Sequence, residues 1–157
     1  MPTADPRIRA ATPNDAETLS GIALRAKAHW GYSPELLELW ADDLRVTPDS
    51  CDGRSLWLLE SDGTIAGFGE VLIRDDYAIL DDLWIDPPFM GAGFGRALFQ
   101  HLCAIATDAG AERICLEADP FAKSFYEHMG ARAVGEVQSE SVPGRTLPLM
   151  QIDLPLP

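Results

Sequence analysis

Residues 86–99, DPPFMGAGFGRALF, set glycine at three alternate positions, Gly91, Gly93 and Gly95, between an apolar run and a helix-like run. Glycine gives up side-chain contacts and costs backbone entropy, so such a run is kept where a bare backbone is needed. A helix N-terminus presents unpaired N–H groups and a partial positive charge. Glycines just ahead of it let an anion approach the backbone, with Arg96 as a neighbouring cation. The plain alternative is a Gly-rich loop that merely turns the chain.

Spacing sorts the phosphate ligands. A Walker A loop needs Gly-x-x-x-x-Gly-Lys-Ser/Thr, and this stretch has no lysine. A dinucleotide fingerprint needs its third glycine at position 96, where the chain has Arg96, and the preceding strand ends several residues early. Glu117, at the end of the next strand, is where a ribose-binding acid would sit, but only one β-α-β unit is evident.

The surrounding pattern reads β-α-α-β-β-β-α-β-α-β-β. Residues 7–11 form a short strand. A helix follows from Thr12, with Pro13 in its first turn and Asp15 placed for a capping box. Its apolar face is Ala16, Leu19, Ile22, Ala23 and Ala26, and Gly31 ends it. Ser33 caps a second helix, with Leu36, Leu37, Trp40 and Leu44 facing inward. Strands at 55–60 and 64–73 join at Asp62-Gly63, a hairpin signal. A third strand, YAILDDLWID, covers 77–86. The helix after the glycines carries a stripe of Leu98, Leu102, Ile105 and Ala109 and stops at Gly110. A strand at 113–119, a short helix closed by Gly130 and two strands around Pro143-Gly144 complete the chain. The hairpins imply antiparallel pairing and the 77–119 unit one parallel step. The fold class is therefore α+β: a mixed, mostly antiparallel sheet of six to seven strands with about four helices, in one domain over 1–157.

Composition narrows the function. At 157 residues and 46% hydrophobic, the chain supports a real core. Twelve basic residues against 25 acidic ones give a net charge of −13, which repels nucleic acid. That charge serves solubility, or an acidic mouth that attracts a cationic substrate. No apolar run reaches the roughly 18 residues of a membrane span. The first ten residues lack a signal pattern, so the expected location is the cytoplasm. Cys51, Cys103 and Cys115 form no CxxC pair, the histidines are scattered, and no metal is expected.

The strand ending LDDLWIDP, the segment MGAGFGRALF and the later LEADPFAKSFYEHMGA together resemble the GNAT superfamily of acetyl-CoA-dependent N-acetyltransferases. That family's Arg/Gln-x-x-Gly-x-Gly/Ala element aligns with Met90-Gly91-Ala92-Gly93-Phe94-Gly95, and FYEHMGA resembles its Phe/Leu-Tyr-x-x-x-Gly-Phe element. The element order matches along almost the whole chain. Met90 replaces the usual Arg or Gln, Asp119 a common Asn, and Ala131 a common Phe. The first change leaves phosphate binding more dependent on backbone N–H groups and Arg96.

The resemblance implies acetyl-CoA as co-substrate. It implies coenzyme A contacts at Leu83, Trp84, Ile85, Met90, Gly91, Ala92, Gly93, Phe94, Gly95, Arg96, Asp119 and Ser124, with the pantetheine arm beside the strand at 77–86. It implies direct attack of an amine on the thioester, with Tyr126 as the acid for the leaving thiolate. A phenol with an ordinary pKa of about 10 is protonated at neutral pH and able to donate. Asp81, then Asp82, are candidates for the base. Strand alternation sends one of them to solvent and the other to an apolar face, where a carboxylate needs a partner or a role. The acceptor pocket falls to His29, Trp30 and Tyr32, with Glu70 as a third carboxylate. These acids suit a small or peptide amine, including a cationic one. Dimers are common among relatives, so a homodimer is an expectation too. Two other readings stay open: a non-catalytic acyl-CoA-binding sensor and a nucleotide-binding oxidoreductase.

Overall fold

The structure, a computed structural model, describes residues 6–53 and 55–157. The reading of the first ten residues therefore falls in part on residues 1–5, outside the described residues. The strands are β1 (Arg7–Ala10), β2 (Leu56–Ser61), β3 (Thr64–Ile73), β4 (Ala78–Ile85), β5 (Arg113–Glu117), β6 (Arg132–Gln138) and β7 (Thr146–Asp153). The helices are α1 (Ala16–His29), α2 (Pro34–Leu44), α3 (Phe94–Asp108) and α4 (Lys123–His128). Seven strands and four helices agree with the expected α+β class, and the hydrogen-bonded order is β1-β2-β3-β4-β5-β7-β6. No helix among the described residues is long and apolar enough to cross a membrane.

The chain divides into two units, each with its own buried residues. One comprises the described residues up to Glu70 together with Asp82–Phe99; the other comprises Val71–Asp81 and Gln100–Pro157.

In the first unit, β1 and β2, then β2 and β3, pair antiparallel. The β2–β3 hairpin turns at Asp62 and Gly63, both with positive φ (52° and 79°), which is the backbone twist that tight hairpins need. Leu19, Ile22 and Ala23 of α1 pack with Leu56 and Leu58 of β2 and Phe68 of β3. Leu83 and Ile85 pack instead with Leu59, Ala66 and Leu98. The register of β2 on β3 shifts at Leu59/Glu60, so Ala66 is an extra residue. That bulge turns Ala66 toward Leu98 while Phe68 still faces α1. One step on, the Cβ that Gly67 lacks would lie 2.6 Å from the Trp84 carbonyl oxygen and 2.5 Å from Ile85 Cδ1. Only glycine lets β3 approach β4 this closely.

The start of α1 is tighter than expected. Pro13–Asp15 form a 3₁₀ turn before Ala16. The Asp15 carboxylate accepts from the Thr12 N–H at 2.8 Å and from Arg9 Nη1 at 2.9 Å and Nη2 at 3.1 Å. These bonds, the Arg9 bond first, hold its pKa at about 2, below the ordinary 3.8.

In the second unit, β4 and β5 run parallel, with Ala78 opposite Ile114 and Ile79 opposite Cys115. β5–β7 and β6–β7 are antiparallel. Ile114, Leu116, Leu102, Cys103, Ala106, Met150 and Ile152 are buried. Burial pushes the Cys103 thiol up to about 12, consistent with a core filler rather than a reactive group. The expected α3 stripe needs one correction: Ala109 is exposed, and Ala106 takes its place. The stripe advances in steps of four through Leu98, Leu102 and Ala106, and the helix ends at Asp108.

Gly67→Ala will destabilise the protein by about 1–3 kcal/mol in urea titration, since the added methyl must displace β4 backbone. The Asp15 pKa is depressed on folding, so its contribution is complete above the unfolded value and lost as pH falls toward 2. Wild-type stability, measured by urea midpoint, should drop over that window, and Asp15→Asn should flatten the drop.

Candidate functional site

In the first unit, β4 ends at Ile85 and the chain is pinned at once. Asp86 is buried; its N–H donates to the Ala66 carbonyl (2.8 Å) and its carbonyl accepts from the Phe89 N–H (2.8 Å). Arg25 of α1 donates Nε (2.9 Å) and Nη2 (3.1 Å) to the two Asp86 carboxylate oxygens, a bidentate pair. Pro87–Phe89 make a 3₁₀ turn, and Phe89, Phe94 and Ala97 pack with Leu98. Gly91 (φ 85°) and Gly93 (φ 84°) then take conformations that side-chain-bearing residues rarely adopt. Both are exposed, and no atom lies within 4 Å of where their Cβ atoms would be. α3 starts at Phe94, and the Ala97 N–H donates to the Gly93 carbonyl at 3.1 Å. The N–H groups before Ala97 therefore have no acceptor one turn back and can serve an anion. Ala92 and Arg96 are exposed, while Met90, Phe94 and Gly95 are half-buried. This is a bare-backbone cradle whose N-terminal anchor is Asp86.

The same unit holds a second set of predicted residues. Asp82 is half-buried and its Oδ1 accepts from Trp84 Nε1 at 3.0 Å. Glu70 accepts from Ser55 Oγ at 2.6 Å. Carboxylate oxygens of Glu70 and Asp82 lie within 4.8 Å of each other. Like charges at that distance favour a cation beside them. Tyr32 meets Trp40 edge-on, with centroids 4.9 Å apart. His29 is exposed, its ring 6.2 Å from that of Trp30.

In the second unit Asp81 is exposed, so of the adjacent pair it is Asp82 that is partly buried and held. Tyr126 is buried in α4, its ring edge-on to Phe125 at 5.2 Å. Ser124 is exposed, and its carbonyl meets His128 Nδ1 at 2.6 Å. Asp119 caps the turn before α4 by accepting from the Phe121 N–H (2.9 Å) and pairs with Arg145 (3.5 Å).

Sequence reasoning passes over Arg25, Asp86, Ser55 and Lys27. Arg25 and Asp86 are 61 residues apart, and nothing local couples them. Lys27 had a visible signal: it falls one turn after Ala23, on the apolar stripe of α1.

Residues 23–131 match the profile of the Acetyltransferase (GNAT) family. An aminoglycoside N(6')-acetyltransferase type 1 of Stenotrophomonas maltophilia is 29% identical over 92% of this chain and 94% of its own. The PaiA N-acetyltransferase of Thermoplasma acidophilum, solved with coenzyme A, superposes with TM-score 0.79 at 21% identity, covering 96% of this chain and 99% of that one. YncA of Salmonella typhimurium, solved with its cofactor acetyl-CoA, gives TM-score 0.73 at 19% identity, over 97% and 95% of the two chains.

If Arg25 sets the loop through Asp86, Asp86→Asn should weaken coenzyme A binding about tenfold, roughly 1.4 kcal/mol. Calorimetry checks this, with a thermal melt to verify that the variant is folded.

Proposed function

The chain belongs to the GNAT family of acetyltransferases, and from that membership we propose that it moves an acetyl group from acetyl-CoA to a primary amine by direct attack in a ternary complex. It is an acetyl-CoA-dependent acyltransferase. The observation that carries the fuller reading is the cradle: two glycines at positive φ leading straight into the free N–H groups of α3. A pyrophosphate suits it, because backbone donors and the helix dipole both favour an anion. Met90 offers no side-chain donor, so the amides of residues 91–96 and the Arg96 guanidinium carry the phosphates. Leu83, Trp84 and Ile85 lie along the pantetheine arm. Ser124 and Asp119 are further coenzyme A contacts, Asp119 with its carboxylate already capping a turn.

An ammonium has no lone pair, so the acceptor must first lose a proton. Asp82, oriented by the Trp84 indole, takes it directly or through water, with Asp81 as its exposed neighbour. The amine nitrogen then bonds to the thioester carbonyl carbon, and the oxyanion collapses with cleavage of the C–S bond. Tyr126 gives its phenolic proton to the departing sulfur, and the extra proton on the acylated nitrogen passes through water to the tyrosinate, leaving a neutral amide. Glu70 and Asp82 hold a cationic acceptor, and His29, Trp30 and Tyr32 border it. A cationic amino sugar falls in this class, as does a peptide amine. The net charge of −13 draws such acceptors in at low ionic strength.

Tyr126→Phe should lower kcat about 10²- to 10⁴-fold while the Kd for acetyl-CoA holds. Stopped thiol release from acetyl-CoA over an amine panel, with calorimetry in parallel, reads both quantities. Unchanged kcat would remove the tyrosine from its role.

A further inference from the structure

The chain has two lysines, and one of them, Lys27, is buried in the last turn of α1. Lysine at such depth is rare unless something holds its charge. Here its Nζ stands 4.5 Å from the Trp40 ring centroid, 4.9 Å from Tyr32 and 5.8 Å from Trp84. Three ring faces around one ammonium form a cation box, since each face carries the negative end of the ring quadrupole. The edge-on packing of Tyr32 on Trp40, at 86°, stiffens it. A methionine would fill the same volume without desolvating a charge. Trp84 belongs to two features at once: its ring lies by Lys27, and its indole N–H holds Asp82, beside Glu70. The box and the carboxylate pair thus adjoin through one side chain, all within the first unit.

We propose that this box is an alkylammonium-binding part of the acceptor pocket that the chain's own Lys27 keeps filled. Lys27 is then a specificity-determining residue. Its fixed charge and stem exclude a second cation from the rings. The inference rests on the acceptor-pocket reading given above.

Lys27→Ala empties the box, and Lys27→Met keeps it filled with an uncharged stem. Tetramethylammonium is the probe, titrated while the tryptophan indole resonances are followed. The alanine variant should bind it at least about tenfold more tightly than wild type or the methionine variant. In turnover, its kcat/KM for diamines relative to monoamines should rise by about the same factor. Equal binding by the alanine variant and wild type would overturn the proposal. So would wild-type binding that moves the Trp40 and Trp84 indoles, because a plugged box admits no probe; this arm decides even if the alanine variant and a serine substitute do not fold. If the protein acetylates no amine at all, the proposed function fails, while the tetramethylammonium titration still judges the box.

Discussion

The candidate site depends on an exposed backbone that carries no side chain just ahead of a helix N-terminus. Gly91 and Gly93 hold φ near +85°, and the next residue opens a fifteen-residue helix. Unpaired N–H groups at that helix start are an obligation of α-helical geometry. Water can meet it, and so can phosphate, which also gains from the helix dipole. Space at the two glycines is open, so a side chain there would meet no protein atom. It would strain the backbone and cover the approach to the helix start. The glycines are therefore kept for conformation and access, in contrast to Gly67, which is kept for close packing.

The loop is only as useful as its anchor. Asp86 ties it to β3 through the Ala66 carbonyl and to α1 through Arg25. The guanidinium is held charged by that carboxylate, and the pair is partly shielded from solvent screening because Asp86 is buried. α1 thus contributes to both ends of the first unit's chemistry. Arg25 holds Asp86 at the head of the glycine loop, and two residues later Lys27 enters the aromatic box beside the carboxylates.

Much of this is legible in the sequence because the signals are local. The Asp62-Gly63 hairpin, the Ser33 cap accepting from the Leu36 N–H and the glycines before α3 each follow from residues within a few positions. The family resemblance rests on three such segments in order, and the fold follows it. What stays hidden is set by tertiary contact. The bulge at Ala66 has no sequence signature, yet it decides which face Ala66 shares with Leu98. The Arg25–Asp86 pair spans 61 residues. Asp81 reads ahead of Asp82 as a base, and the bond from the Trp84 indole to Asp82 is a contact that the ranking did not include. The burial of Lys27 goes with the convergence of Tyr32, Trp40 and Trp84 on its ammonium, which no local pattern shows.

On the proposed reading, backbone amides at the start of α3, rather than a side chain at Met90, hold the coenzyme A pyrophosphate. A titration of ¹⁵N-labelled protein with coenzyme A, and with its fragment lacking the pyrophosphate, tests it most directly. The amides of residues 91–96 should shift with coenzyme A and remain unmoved by the fragment. Saturable coenzyme A binding that leaves those amides in place would contradict it.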